Sequence, residues 1–512
     1  MTISRQPAEH DPAEATIPRR EPQWSPNVAR ATRILFESLI GDDPPVRIAL
    51  WDGSVLGPDT TTRILVRSPE ALRRILFRPG ELGFARAFVA GEIDVEGDIF
   101  AALAVRRGIA GAGSRLTGAT ARAAATLLRE LGPRMPAPPP EEARLRGRQH
   151  TRDRDAAAIS HHYDVSNAFY RLILGPTMTY SCGVWESEQV GLDAAQNAKH
   201  ELVCRKLGLR PGERLLDIGC GWGSMLIHAA RHHGVRGVGV TISVEQATQA
   251  RRLVAEADLA DVIEIRLQDY REIPDGPFDA ISSIGMVEHV GRAMLPTYFD
   301  QLYRLLRPGG RLLNHGISFP GDPAGARRAR PGLGPVPLPR GRDFLQRYVF
   351  PDGELHEIGV MVSLMQAAGF EARHVESLRE HYALTLRAWV RLLEKNWPAA
   401  VGMVGAGRAR VWRLYMAGSA LSFESGRTQI HQTLAVRPDA GTAGMPLRPR
   451  FESPTTAPSQ STAPTPTTAP TPTTAPTPTT APTPTTAPTP TTAPTPTTAP
   501  TPTTAPSQST AG

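Results

Sequence analysis

The run LLDIGCGWGSM, Leu215 to Met225, restricts the fold of this chain more than any other stretch. An apolar segment leads into Asp217, and glycines then follow at 219, 221 and 223. Only glycines let a backbone turn so tightly and approach a ligand before the next helix starts. Such a turn belongs at the carboxyl end of a strand in a βα unit, and the surrounding sequence supplies more of these units. From Ala156 to Pro438, ERLLDIGC, VRGVGVTIS, DVIEIRLQDY, FDAISSIGMV and GGRLLNHGIS are short β-rich runs separated by helical segments. The alternation predicts an α/β fold with a mostly parallel, doubly wound, Rossmann-like sheet.

The spacing of the turn narrows its ligand. Dinucleotide sites favour GxGxxG and an acidic residue ending the second strand. Here the spacing is GxGxG, an acid (Asp217) stands just before the first glycine, and the second strand ends in Thr241. Both differences disfavour NAD and favour S-adenosylmethionine. LQDY closes a third strand and offers Asp269 to an adenine amino group. The order of these elements is that of a class I methyltransferase.

Composition divides the rest of the chain. Residues 1–22 are polar and are expected to be disordered. Residues 23–132 read as a smaller α+β domain: VRIALWDGSVLG and TTRILVRSP alternate like a hairpin, and helices follow, broken at Pro79-Gly80. Residues 133–155, proline-rich and then strongly charged, suit an exposed linker. Residues 156–438 hold the strand and helix alternation. From 439 to 512 the chain becomes a tail built on the hexamer Ala-Pro-Thr-Pro-Thr-Thr, which lacks the large apolar residues needed to offset ordering entropy.

A formal net charge of +7 admits nucleic acid or anionic lipid as partner and does not choose between them. Arginines gather at Gly325–Phe344 and between Arg106 and Arg129, where they form solvated faces or meet an anionic leaflet. The three cysteines, Cys182, Cys204 and Cys220, form no CxxC pair and show no His/Cys spacing of a zinc site; paired His161 and His162 lack a third ligand, so no metal is expected. The start of the chain has no apolar signal core, and no run of about 18 apolar residues follows. A cytoplasmic location is expected.

SHHYDVSNAFYRLILGPTMTYSCGVWE (Ser160 to Glu186), the glycine turn, GVTISVEQ, SIGMVEHVG and RYVFPDGEL, in this order, resemble the cyclopropane-fatty-acyl-phospholipid synthase family. The resemblance runs from Trp24 to Pro438. It implies an S-adenosylmethionine-dependent enzyme acting on alkenes of lipid acyl chains, with residues 23–132 helping to bind lipid. Tyr180, Ser181, Gly219, Gly221, Thr241, Gln246, Asp269 and Tyr270 match the family's cofactor-contacting motifs. Trp222 either covers the cofactor or packs the turn. Cys182, Glu288, His315 and Tyr382 match residues that hold a bicarbonate ion, and Ile284 matches a backbone contact to it. Without the resemblance, Cys182 reads as a small buried hydrophobe, His315 as a core histidine and Tyr382 as a helix-packing aromatic. Glu288 is thereby assigned to an anion, and His289 is expected to be a structural neighbour.

The implied reaction methylates an unactivated alkene, leaves a carbocation and removes a proton to close a cyclopropane ring. The sequence departs from better-known synthases at Glu354-Leu355-His356-Glu357, after RYVFPDG, where those enzymes carry an apolar residue and a Leu-Pro stretch. The same cation can instead undergo a hydride shift and give a 10-methylene branch, which calls for a flavin- or NADPH-dependent reductase as partner. A methyltransferase for another small molecule and a non-catalytic lipid-binding protein are the competing readings. Further expectations are unsaturated phospholipid acyl chains as substrate, peripheral contact with the anionic inner face of a membrane, a homodimer, and no nucleic acid partner.

Overall fold

The computed structural model describes residues 25–40, 46–78, 80–111, 117–132, 134–143, 154, 166–321 and 344–452. The expected disordered start at 1–22, the paired His161 and His162, the arginine run at 325–343 and the repeats lie outside these residues. The described residues belong to one unit.

The first part contains α1 (Pro26–Ile40), β1 (Arg47–Leu50), β2 (Val55–Leu56), β3 (Arg63–Val66), α2 (Glu70–Phe77), α3 (Glu81–Val89), β4 (Ile93–Glu96), α4 (Ile99–Gly111) and α5 (Gly118–Leu131). Its sheet has the order β2-β1-β3-β4. The hairpin forms within VRIALWDGSVLG: Asp52 accepts from the Ser54 amide at 3.0 Å, and β2 returns antiparallel with Leu56 opposite Ile48. TTRILVRSP is not the second arm, because β3 lies parallel to β1 with Ile64 opposite Ile48. Alternation of side chains is the same in parallel and antiparallel neighbours, so the pattern could not reveal strand direction.

The second sheet comprises β5 (Arg214–Ile218), β6 (Arg236–Thr241), β7 (Ile263–Leu267), β8 (Phe278–Ile284), β9 (Leu306–Ser318), β10 (Glu371–Ser377) and β11 (Gln429–Val436), in the order β10-β11-β9-β8-β5-β6-β7. Neighbours from β9 through β7 are parallel. β11 runs antiparallel to β9, and β10 antiparallel to β11. Around it stand α6 (Asn167–Leu174), α7 (Leu192–Leu207), α8 (Ser224–His233), α9 (Val244–Glu256), α10 (Val287–Val290), α11 (Leu295–Leu305), α12 (Phe344–Tyr348), α13 (Ile358–Ala367), α14 (Arg379–Lys395), α15 (Trp397–Val404) and α16 (Ala406–Glu424). Strand β5 is buried on both faces: Leu216 and Ile218 join a core with Tyr298 and Phe299, and Leu215 joins another with Leu226 and Ile263. Strand order reverses between β5 and β8, and a crevice opens there at the carboxyl ends of the strands.

Two residues of the segment read as a linker, Glu142 and Arg154, form buried ion pairs. Glu142 accepts from Arg86 Nε and Nη2, each at 2.9 Å, and from Arg347 Nη1 at 2.6 Å. Arg154 donates to both oxygens of Asp352, at 2.5 and 2.9 Å. Charge is buried where opposite charge meets it, and composition alone does not show where that occurs. The described chain also continues past Pro438, with the Phe451 ring 5.1 Å from that of His374. Among the described residues no helix is long and apolar enough to cross a membrane.

Candidate active site

The glycine turn opens the crevice. Gly219, Gly221 and Gly223 have φ of 73°, 55° and 81°, a region that strains any residue with a Cβ. A Cβ at Gly221 would meet nothing within 4 Å, so bare backbone fronts the open space there. The amides of Gly219 and Cys220 both donate to the Val240 carbonyl, at 2.9 and 3.0 Å, which ties the turn to β6. Asp217 accepts from Ser282 Oγ at 2.7 Å, and burial pushes its carboxyl up to about 6.

Tyr180, Ser181, Asp217, Gly219, Gly221, Trp222, Thr241, Gln246, Asp269 and Tyr270 line one pocket around this turn, together with Ile284. Thr241 Oγ1 donates to Gln246 Oε1 at 2.8 Å, and Ser243 caps α9 through the Gln246 amide. Trp222 both lines the pocket and packs: its indole donates to Asn167 at 2.8 Å and its ring lies 4.7 Å from Tyr170. Asp269 is held by Arg271 through Nε at 2.8 Å and Nη2 at 2.6 Å, which fixes its carboxylate in the pocket wall. Two carboxylates, a Thr–Gln pair and a wall without side chains fit a ligand that carries a positive charge, hydroxyls and an amino group, as S-adenosylmethionine does.

The other expected residues, Cys182, Glu288, His315 and Tyr382, do not line this pocket and are connected to one another through the carboxyl end of β9. Ile284 pairs in register with His315, and the Gly285 amide donates to the His315 carbonyl at 2.8 Å. Glu288 Oε1 accepts from the Ile317 amide at 2.7 Å. Ile430, opposite Ile317 on β11, accepts from the Leu378 amide. The Leu378 carbonyl in turn accepts from the Tyr382 amide at 3.1 Å and from Cys182 Sγ at 3.7 Å. A relay of strand pairing and hydrogen bonds, the Glu288 carboxylate and the Cys182 thiol among them, connects these residues.

Their side chains are in defined states. Burial pushes the Cys182 thiol up, so it is an S–H donor. Burial holds His315 far below its ordinary value and therefore neutral. Its tautomer follows from its neighbours. Lys206 Nζ, which can only donate, gives a hydrogen bond to Gln432 Oε1 at 2.7 Å; Gln432 Nε2 then faces His315 Nδ1 at 3.3 Å, and Nδ1 accepts. The proton sits on Nε2, which has no partner among the described residues. Glu288 Oε2 also has none, and burial pushes that carboxyl up to about 7.

Sequence reasoning missed Lys199 and Gln196. Both lie on α7, three residues apart on one face, and both hold the strip at 179–181. Gln196 Nε2 donates to the Ser181 carbonyl at 2.9 Å, and buried Lys199 Nζ donates to Ser181 Oγ at 3.0 Å. Burial brings Lys199 down to about 8. The spacing in AQNAK was the available signal. His289, expected only as a neighbour, lines the same pocket; burial takes it down to about 4 and leaves it neutral.

A mostly parallel sheet whose strand β11 runs antiparallel beside β9, with a glycine turn after β5 where the strand order reverses between β5 and β8, defines a class I S-adenosylmethionine-dependent methyltransferase. The family model for mycolic acid cyclopropane synthetase matches residues 150–433, and the chain belongs to that family of lipid methyltransferases and cyclopropane synthases. It is 41% identical over 426 residues to "Probable fatty acid methyltransferase Rv3720" of Mycobacterium tuberculosis (strain ATCC 25618 / H37Rv), covering 80% of this chain and 95% of that protein. It is 32% identical over 437 residues to tuberculostearic acid methyltransferase UfaA1 of the same organism, covering 83% and 95%. The crystal structure of mycolic acid cyclopropane synthase CmaA1 complexed with SAH and CTAB superposes with a TM-score of 0.51 at 34% identity, covering 55% of this chain and 97% of that one.

Proposed function

We propose that this chain transfers the methyl carbon of S-adenosylmethionine to a cis double bond of an unsaturated phospholipid acyl chain and yields a cyclopropane fatty acid, with bicarbonate as the base. The observation that supports this reading is that two buried atoms, Glu288 Oε2 and His315 Nε2, have no partner among the described residues, on segments that adjoin the pocket residues His289 and Ile284. Leaving buried polar groups unsatisfied costs about 1–3 kcal/mol each, and a site that binds a small polar ion recovers that cost.

S-adenosylmethionine supplies an electrophilic methyl group. The pocket of Tyr180, Ser181, Asp217, Gly219, Gly221, Trp222, Thr241, Gln246, Asp269 and Tyr270 would hold it. The Cys182 thiol, His315 Nε2–H, the Tyr382 hydroxyl and the Ile284 backbone would hold bicarbonate, which brings its own basicity. Positive charge that develops on the acyl chain meets Glu288 and an aromatic cluster around Tyr180. The Tyr180 ring lies 5.2 Å from Trp389 and 5.8 Å from Trp412, and its hydroxyl donates to Tyr415 at 2.8 Å. Ring faces stabilise a desolvated cation by about 2 kcal/mol, and the same rings exclude water from the reacting centre. The net charge of +7 suits docking on an anionic inner leaflet, where each basic residue contributes about 1 kcal/mol. In this reading residues 23–132 contribute the lipid contact and 156–438 the chemistry.

A methylene-branched product is the second reading. It is favoured by Glu354-Leu355-His356-Glu357, where Glu354 donates its amide to the Glu288 carbonyl at 2.9 Å and so sits against the catalytic segment. The test for both is incubation of the purified full chain with S-adenosylmethionine, bicarbonate and liposomes of an oleoyl phospholipid, with the released fatty acids read by mass spectrometry and proton NMR. Gain of one CH2 with high-field ring protons is expected; exomethylene protons select the second reading. No gain on any unsaturated lipid sinks both.

A further inference from the structure

A polar cluster stands apart from the active site, on the paired helices α7 and α8. One ligand atom each from Cys204, His228 and His233 lies within 4.8 Å of the others. Glu201, one helical turn before Cys204, accepts from both imidazoles through Oε2, at 3.3 Å from His228 and 3.0 Å from His233. Its other oxygen faces Arg205 at 3.7 Å, so Oε2 alone serves the histidines.

We propose that Cys204, His228 and His233 bind a divalent metal ion of the zinc class, with Glu201 orienting the two imidazoles. Thiolate with imidazole is the donor set that such borderline ions select over calcium or magnesium, and ligating histidines characteristically give their other ring nitrogen to a carboxylate: Glu201 takes Nε2 of both rings, which leaves Nδ1 of each for the ion. Cys204 also packs in the apolar core with Val203, Leu207 and Leu226, so the thiol stands where that core meets the His–Glu cluster.

Access and placement suit the assignment. Cys204 is buried, whereas the His228 and His233 side chains are 11% and 18% exposed, so the site closes on the protein side and opens toward solvent. The ligands are far apart in sequence because β5 and the glycine turn lie between them. A bound ion would therefore clamp α7, which carries Lys199, to α8, which starts at the turn. Its role is structural, bracing the cofactor pocket from behind.

The experiment titrates chelator-treated full-length protein with Co²⁺ and records the absorption spectrum, followed by displacement with Zn²⁺. One equivalent of Co²⁺ is expected to give a sulfur-to-cobalt charge-transfer band with four-coordinate visible bands, and Zn²⁺ to abolish both. Cys204→Ser should lose the charge-transfer band. Because that thiol is buried, partly exposed His233→Asn serves as the second variant and should weaken binding at least about tenfold while retaining the circular dichroism of the chelated parent. Zinc should also raise the melting temperature of the parent and not of His233→Asn. An octahedral aquo-like spectrum, a nitrogen-only spectrum, or a band that survives both substitutions overturns the proposal.

Discussion

Glu288 is the residue whose charge matters most. Its folded value of about 7 stands above the ordinary 4.5 because burial disfavours the anion, against the opposing hydrogen bond from Ile317. The fold therefore favours the neutral acid. This contribution is fully present below about pH 4.5 and is lost as pH rises through about 7, after which the buried anion costs roughly 3 kcal/mol. The proposed chemistry needs that anion to meet positive charge on the acyl chain. Turnover should thus rise with pH through about 7, and Glu288→Gln should lower kcat at least about a hundredfold, flatten the profile and leave S-adenosylmethionine binding intact. Unchanged turnover, measured by methyl incorporation across that range, removes Glu288 from the mechanism. The glycine turn was legible in the sequence because backbone needs dictate it: its glycines stand at positive φ, after an acid at the end of one strand and beside a threonine at the end of the next. Lys199 was not, because a helical lysine reads as solvated, and its burial depends on Ser181, 18 residues away.

At the scale of elements, β5 to β9 were legible because strands buried in a parallel sheet are apolar runs with abrupt ends. β10 and β11 were not read as strands. Residues of β10 are half-buried or exposed throughout, as befits an edge, so EARHVES carries no apolar stripe to detect. Nor were the buried ion pairs of Glu142 and Arg154 legible, because their partners come from distant parts of the chain. Arg154 and Asp352, 4% and 8% exposed, form a two-bond pair, and Asp352 also lines the pocket proposed for the cofactor. Arg154→Met should leave a buried carboxylate without its guanidinium and destabilise the protein by about 3–5 kcal/mol. Urea denaturation should show that loss, and S-adenosylmethionine affinity should fall with it. A midpoint within error of the parent would mean that the pair does not hold the segment.

For the whole molecule, the decisive feature is a core that both sheets share. Ile48, Val66 and Phe88 from the first part belong to the same apolar cluster as Trp389, Trp412, Cys182 and Tyr382. The sequence suggested two domains because its patterns change near residue 133, but local periodicity cannot say whether two apolar faces meet each other. Since they do, melting of the first part would strip cover from the aromatic residues around Tyr180. Thermal unfolding followed by far-UV circular dichroism and by tryptophan fluorescence should therefore coincide, because Trp222, Trp389 and Trp412 report from within the joint cluster. Phe88, 1% exposed, is the sharper probe. Phe88→Ala should cost about 3–5 kcal/mol and shift both transitions together, with turnover lost at the same temperature. If circular dichroism fell first while fluorescence and turnover persisted, the first sheet would be an independent unit, and its apolar contact with the catalytic part would contribute little to the site.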